Sequence, residues 1–131
     1  MTNLKVTAVQ TNLFWEDISA NLEQLDKQLA ILVNTSDIII LPEMFSTGFS
    51  MTPSKFAEAP EGKTLMWLKK QAKKSKAVIT GSYIVKEAGH YFNRLVWMQP
   101  DGEFQTYDKK HLFSLSDEPK YYTAGQEKLI V

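Results

Sequence analysis

The sequence has 131 residues, enough for one domain with a hydrophobic core and too few for two. Fifteen basic and fifteen acidic residues cancel, and hydrophobic and charged residues make up 44% and 23%, so the chain is globular in composition with no net field favouring nucleic acid or an anionic membrane. No cysteine is present, which excludes disulfides and thiol chemistry within these residues; no apolar run approaches a membrane span, and Met1-Thr2-Asn3-Leu4-Lys5 lacks a signal-peptide pattern, so the expected address is the cytoplasm.

Leu4 to Gln10 alternates, with Leu4, Val6 and Ala8 on one side and Lys5, Thr7 and Val9 on the other, and reads as a first strand. The loop Thr11 to Glu16 carries Phe14 and Trp15 towards a helix whose N-cap is Asp17 or Ser19. Ile18, Leu22, Leu25, Leu29, Leu32 and Val33 then recur at helical spacing opposite Asn21, Gln24, Lys27 and Gln28, giving an amphipathic helix with one buried stripe. Asn34 to Asp37 stops it. Ile38-Ile39-Ile40-Leu41 follows without alternation, which predicts a strand buried on both faces. Strand, helix and strand in this order imply a parallel βαβ unit. Pro42 cannot donate to a ladder and ends the strand. Glu43 therefore sits just past the carboxyl end of a central strand, where α/β sheets place their ligands. A solvated loop acid is the plain alternative.

Ser46 to Gly62 carries Gly48, Pro53, Pro60 and Gly62 without periodicity, a loop of a length that tends to be functional or mobile. A second helix starts near Thr64, with Leu65, Leu68 and Ala72 inward and Trp67 near the edge. Lys69, Lys70, Lys73, Lys74 and Lys76 crowd its end; they read as a solvated face that complements the helix dipole, since no interleaved aromatics suggest a nucleic-acid patch. Ala77–Val85 is a strand in which Gly81 marks a close approach by another backbone. Turns at Lys86–Gly89 and Pro100–Gly102 separate it from strands at Tyr91–Met98 and Glu103–Tyr107, an antiparallel extension of the sheet. After the polar segment Ser114 to Gln126, Leu129-Ile130-Val131 forms a strand-like apolar run.

Three charged positions stand out by context: Glu43, Lys109 just after a strand, and Glu118 in the aromatic-rich loop Ser116 to Tyr122. A carboxylate beside an ammonium in a dry cleft divides labour, the acid moving protons and the cation stabilising an oxyanion. Spacing alone does not bring these three together, and solvated lysines with a turn-capping Glu118 remain the alternative. His90 and His111 fit no metal-ligand spacing, and His111 reads as a structural hydrogen-bonding residue rather than a catalyst. No phosphate loop or nucleophile elbow occurs. Phe14, Trp15, Trp67, Trp97, Tyr121 and Tyr122 read as core or interface packing.

Leu41-Pro42-Glu43-Met44-Phe45 and Tyr107-Asp108-Lys109-Lys110-His111-Leu112-Phe113, with Val6 to Asn12 and Ala77 to Ser82 at suitable spacing, resemble the nitrilase or carbon–nitrogen hydrolase superfamily. Leu41 to Phe49 and Asp117 to Gly125 are most similar to its ω-amidase branch. The resemblance implies an α/β fold, the N-terminal half of an αββα sandwich, with a mixed sheet and two helices. It implies a glutamate base at Glu43, a lysine at Lys109 rather than Lys110, and an assisting glutamate at Glu118, seven residues before Gly125. It implies no cofactor, and ping-pong attack of a cysteine on the side-chain amide of a short dicarboxylic-acid monoamide.

The family's cysteine has no counterpart here. The expectation is therefore a partial carbon–nitrogen hydrolase domain over 1–131, ending before the nucleophile-bearing segment and inactive alone. It would meet a small-molecule amide only when completed by the missing half. An oligomer or partner polypeptide is expected to cover the exposed sheet, with no nucleic acid or membrane as partner. A non-catalytic interaction module that keeps the half-fold is the alternative.

Overall fold

The computed structural model describes residues 3–131, so Met1 and Thr2 of the polar opening lie outside the described residues. A five-stranded sheet runs in chain order: β1 (Val6–Ala8), β2 (Ile38–Ile40), β3 (Val78–Glu87), β4 (His90–Met98) and β5 (Phe104–Asp108). β1, β2 and β3 are parallel, with Val6, Ile38 and Val78 in register; β3, β4 and β5 are antiparallel hairpin neighbours. Helix α1 (Ile18–Leu29), continued by a 3-10 turn at Ala30–Leu32, connects β1 to β2, and α3 (Lys63–Ser75) connects β2 to β3. Two successive crossovers of the same hand place both helices on one face of the sheet. Besides these two expected helices there are two of four residues, α2 (Pro53–Phe56) and α4 (Glu118–Tyr121).

The helix-covered face holds the main core. Leu22, Leu25 and Leu29 of α1 and Leu65, Leu68 and Ala72 of α3 pack on Ile39, Ile79, Val96 and Met98, all buried. Each such leucine contributes about 1.5–3 kcal/mol by leaving water. The inward stripe thus follows the heptad-like spacing of the sequence. Asp17 caps α1 by accepting from the Ala20 amide at 2.9 Å, while Ser19 lies inside the first turn. Asp26 of α1 accepts from the Trp67 indole at 2.8 Å and from the Gln71 amide of α3, so the two helices are joined by polar bonds as well as by leucines. The lysines at 69, 70, 73, 74 and 76 are exposed, and Lys76 closes α3 in the left-handed conformation.

The opposite face is covered only in part. Met44, Ile84 and Tyr122 form a second, smaller core with Phe49, Met51, Phe56 and Leu112 packed around it. Ile40 on this face is 41% exposed, while its neighbour Ile39 is fully buried. The expectation of a strand buried on both faces therefore fails for Ile38–Ile40: helices bury one side and the other opens to solvent. Leu129–Val131 forms no strand either, and Ile130 is exposed. An apolar run without a ladder partner has nowhere to place its backbone hydrogen bonds except in water.

Candidate active site

The corner after β2 is built against β3. The Leu41 amide donates to the Thr80 carbonyl at 2.8 Å, the Phe45 amide to the Ser82 carbonyl at 3.0 Å, and the Met44 amide to the Ser82 hydroxyl at 3.0 Å. Met44 takes a left-handed conformation with φ of +47°, a strain of about 1–3 kcal/mol held in place by these bonds and by burial of both Met44 and Phe45. Gly81 makes room for the corner: a Cβ there would stand 2.8 Å from Leu41 Cβ and 2.9 Å from Phe45 Cδ1. The close approach at this glycine is thus made by two side chains and not, as expected, by another backbone, because the corner turns Leu41 and Phe45 towards β3. Glu43 lies between buried Leu41 and buried Met44 and is itself exposed, so the corner presents one carboxylate to solvent.

Lys109 follows directly on β5. Its amide donates to the Asn93 carbonyl at 2.9 Å, and its own carbonyl accepts from the Gly125 amide at 3.0 Å. A Cβ on Gly125 would fall 2.0 Å from the Asp108 carbonyl oxygen, so only glycine lets the returning chain lie there. On the helix side of the sheet Arg94 grips Asp108 through two bonds, Nε at 2.7 Å and a terminal nitrogen at 2.9 Å, and also meets Glu87 at 2.6 Å. The bond to Asp108 raises the guanidinium pKa, burial works against it, and Glu87 adds to the rise, so Arg94 stays charged. Because side chains alternate along a strand, fixing Asp108 on one face sends Lys109 to the other.

Glu118 opens α4 and is fully buried. Its Oε2 accepts from Lys109 Nζ at 3.0 Å and from the Phe113 amide at 2.6 Å, and its Oε1 accepts from Asn93 Nδ2 at 3.3 Å. The Tyr122 hydroxyl donates to the Ser50 carbonyl at 2.6 Å and ties this segment to the loop after Glu43. Burial raises the Tyr122 phenol pKa well above the usual range, with the charge of Glu118 adding to it.

Three residues from three parts of the chain therefore meet. Lys109 Nζ stands 2.8 Å from Glu43 Oε1 and 3.0 Å from Glu118 Oε2, with the Phe49 ring centroid 5.3 Å away. Burial disfavours the Lys109 charge, but the hydrogen bonds to Glu43 and Glu118 outweigh it and raise its pKa above the ordinary lysine value. Lys109 is a fixed cation between two carboxylates. Two clefts flank the pair. One of about 240 Å³ lies on the open sheet face between Leu41, Thr80, Ser82, Leu95 and Tyr107; another of about 500 Å³ lies between Phe49, His111, Leu112 and Phe113. His111, expected to be a structural hydrogen-bonding residue, is exposed on the rim of the second. His90 meets Thr123 at 3.3 Å, away from the trio.

The residue missed from the sequence is Asn93. It lies in the middle of β4, is buried, and donates to Glu43 Oε1 at 2.7 Å as well as to Glu118. A lone asparagine in a strand carries no recognisable spacing; only the register of β3 with β4, which sets it opposite Ile84, places it beneath the carboxylates. Trp15, expected to pack in a core or interface, covers Gly48 with its ring at 3.1 Å from the position of a Cβ and is otherwise exposed.

The family model described as carbon-nitrogen hydrolase matches residues 5–131. An omega-amidase, YafV, of Yersinia enterocolitica is 39% identical over the whole of this chain and 50% of its own length; its counterpart in Escherichia coli K12 is 37% identical over the same shares. A 2-oxoglutaramate amidase of Bacillus subtilis is 27% identical over 93% of this chain and 48% of its own. Among solved structures, XC1258 of Xanthomonas campestris, a CN-hydrolase superfamily protein with an arsenic adduct in its active site, superposes with a TM-score of 0.96 at 41% identity, covering 100% of this chain and 49% of that one. The chain spans about half the length of the relatives it matches. With a five-stranded mixed sheet, a Pro-Glu corner after its second strand and a lysine after its fifth, this chain belongs to the carbon–nitrogen hydrolase family.

Proposed function

We propose that the chain supplies the acid–base half of an amide hydrolase of ω-amidase type, with Glu43 as general base, Lys109 as the oxyanion-facing cation and Glu118 as the acid that holds Lys109. The single observation carrying this reading is the bridge of Lys109 Nζ between Glu43 at 2.8 Å and Glu118 at 3.0 Å. The sequence holds no cysteine, so the sulfur has to come from polypeptide outside these residues.

With that thiol in place, Glu43 takes the S–H proton as the C–S bond forms, and the carbonyl oxygen gains negative charge facing Lys109. Glu43 returns the proton to the amide nitrogen as the C–N bond breaks and ammonia leaves. Water then attacks the thioester, Glu43 accepts its proton, and the thiol is restored as the acid departs. The net reaction is amide plus water to carboxylic acid and ammonia. The proposed substrates are short dicarboxylic-acid monoamides, from the resemblance of the Leu41–Phe49 and Asp117–Gly125 motifs to the ω-amidase branch. The proposed partner is a completing half or a second copy on the sheet face that leaves Ile40 exposed. The proposed compartment is the cytoplasm, tested by fractionation of expressing cells; no helix of the described residues is long and apolar enough to cross a membrane.

Ammonia release from a short dicarboxylic-acid monoamide tests the activity. The chain alone is expected to be inactive. Co-expressed with the C-terminal half of the Escherichia coli relative, it is expected to turn over, and Glu43→Gln and Lys109→Met are expected to abolish this. Turnover by the chain alone above a Glu43→Ala control, or turnover of the pair untouched by either substitution, would defeat the reading. The lack of cysteine favours one alternative, a non-catalytic module, which would bind a partner equally well with Glu43 and Lys109 replaced.

A further inference from the structure

We propose that Asn93 is a positioning residue that commits one oxygen of Glu43 and so leaves the other, Oε2, as the atom that takes the proton. This rests on the reading of Glu43 as general base. Asn93 Nδ2 has two hydrogens, and both are used: one on Glu43 Oε1 at 2.7 Å, the other on Glu118 Oε1 at 3.3 Å. The orientation of the amide is forced, since its oxygen turned the same way would face two carboxylates. Lys109 also donates to Glu43 Oε1, at 2.8 Å. Oε1 thus receives two donors, whereas Oε2 has no hydrogen-bond partner among the described residues. A carboxylate that is half-exposed on a loop corner would otherwise swing among rotamers; here the bond to a buried strand residue holds its plane.

A second observation sets Asn93 apart from a packing residue. Its Oδ1 is buried and finds no partner among the described residues. Opposite Ile84 and 2% exposed, this position suits an aliphatic side chain by its burial, yet such a residue would leave the buried Glu118 Oε1 without its donor. The polar group is retained where its two hydrogens join Glu43, from the β2 corner, to Glu118, from α4. Asn93 also accepts at its backbone carbonyl from the Lys109 amide, so one residue meets all three members of the trio.

Side-chain NMR of the labelled chain tests the bridge directly. Glu43→Ala is expected to move one of the two Asn93 Hδ2 resonances upfield and leave the other near its place. Asn93→Leu is expected to bring the Lys109 titration, followed at Cε and assigned with Lys109→Arg, back towards the ordinary lysine range, and Asn93→Asp to move it the opposite way. Glu43→Ala alters an exposed side chain, so it decides the matter even if Asn93 variants do not fold. In the reconstituted hydrolase, Asn93→Leu is expected to lower kcat by about 10–100-fold, the loss of one hydrogen bond to a charged group, with KM changed less than about twofold. Unmoved Asn93 resonances in Glu43→Ala, or a kcat within about twofold of the parent, would overturn the proposal. Absence of all hydrolysis in the parent pair removes the function of Glu43 and leaves the NMR result standing, so the two failures are distinguishable.

Discussion

Replacing Lys109 with methionine asks how much the central cation stabilises the fold. Glu118 is fully buried and would keep only the Phe113 amide and the longer bond from Asn93. Removing one partner of a fully buried ion pair costs about 3–5 kcal/mol. Two facts lower that figure here. The Lys109 side chain is 26% exposed, and the Glu43 side chain, at 50%, is solvated enough that its share is below about 1 kcal/mol. The net expectation is about 2–3 kcal/mol. For 131 residues, with an unfolding entropy of about 2.1 cal/mol/K per residue, this lowers Tm by about 7–11 °C. The assay is thermal and urea unfolding followed by circular dichroism, with Lys109→Met, Glu118→Gln and the double variant forming a cycle. The double variant is expected to recover at least about 1 kcal/mol, because the buried negative charge goes with the cation. A Lys109→Met protein within about 0.5 kcal/mol of the parent, or a cycle without coupling, would refute the argument. The pH dependence has a definite sign. The folded state raises the Lys109 pKa above its unfolded value of 10.5, so its contribution is whole below that value and is lost as pH rises through the folded one. The gap between parent and Lys109→Met is therefore expected to stay constant from neutral pH to about 10 and to shrink above it.

Gly125→Ala is expected to destabilise by more than about 3 kcal/mol or to abolish folding of the C-terminal segment, since its methyl would overlap the Asp108 carbonyl at 2.0 Å; limited proteolysis after Lys109 reads this out. Asn21→Ala removes bonds to the Phe14 amide, the Phe14 carbonyl and the Ser46 carbonyl, and is expected to cost about 2–3 kcal/mol in urea unfolding while loosening the Trp15 loop, seen as a change in tryptophan emission. Light scattering is expected to give an oligomer for the isolated chain, because the face exposing Ile40 is left apolar; a monomer that unfolds cooperatively would refute this.

Much of the sheet and helix order is legible in the sequence because it depends on local periodicity. The Leu22–Leu25–Leu29 stripe, the Asp17 cap, the Pro42 stop and the two hairpin turns each act within a few residues, so neighbours in sequence determine them. The burial of Ile38–Ile40 was not legible in the same way. Four aliphatics in a row state that both sides of a strand are apolar, and whether both are covered depends on what packs there; Ile39 and Leu41, on the helix side, are buried, while Ile40 is 41% exposed. Glu43, Lys109 and Glu118 stand out by motif, yet 66 residues separate the first two, and only the β2 corner and the end of β5 arriving at one side of the sheet bring them within 2.8 Å. Asn93 shows the limit most plainly. Its residue type and its place in an apolar strand say nothing of carboxylates, because the partners come from a loop 50 residues earlier and a helix 25 residues later. The sequence by itself determined the strands, the long helices and the charged residues that could act. Tertiary structure alone decided which hydrogen each carboxylate oxygen receives, since a hydrogen bond is settled within a few tenths of an ångström and local periodicity carries no information at that scale.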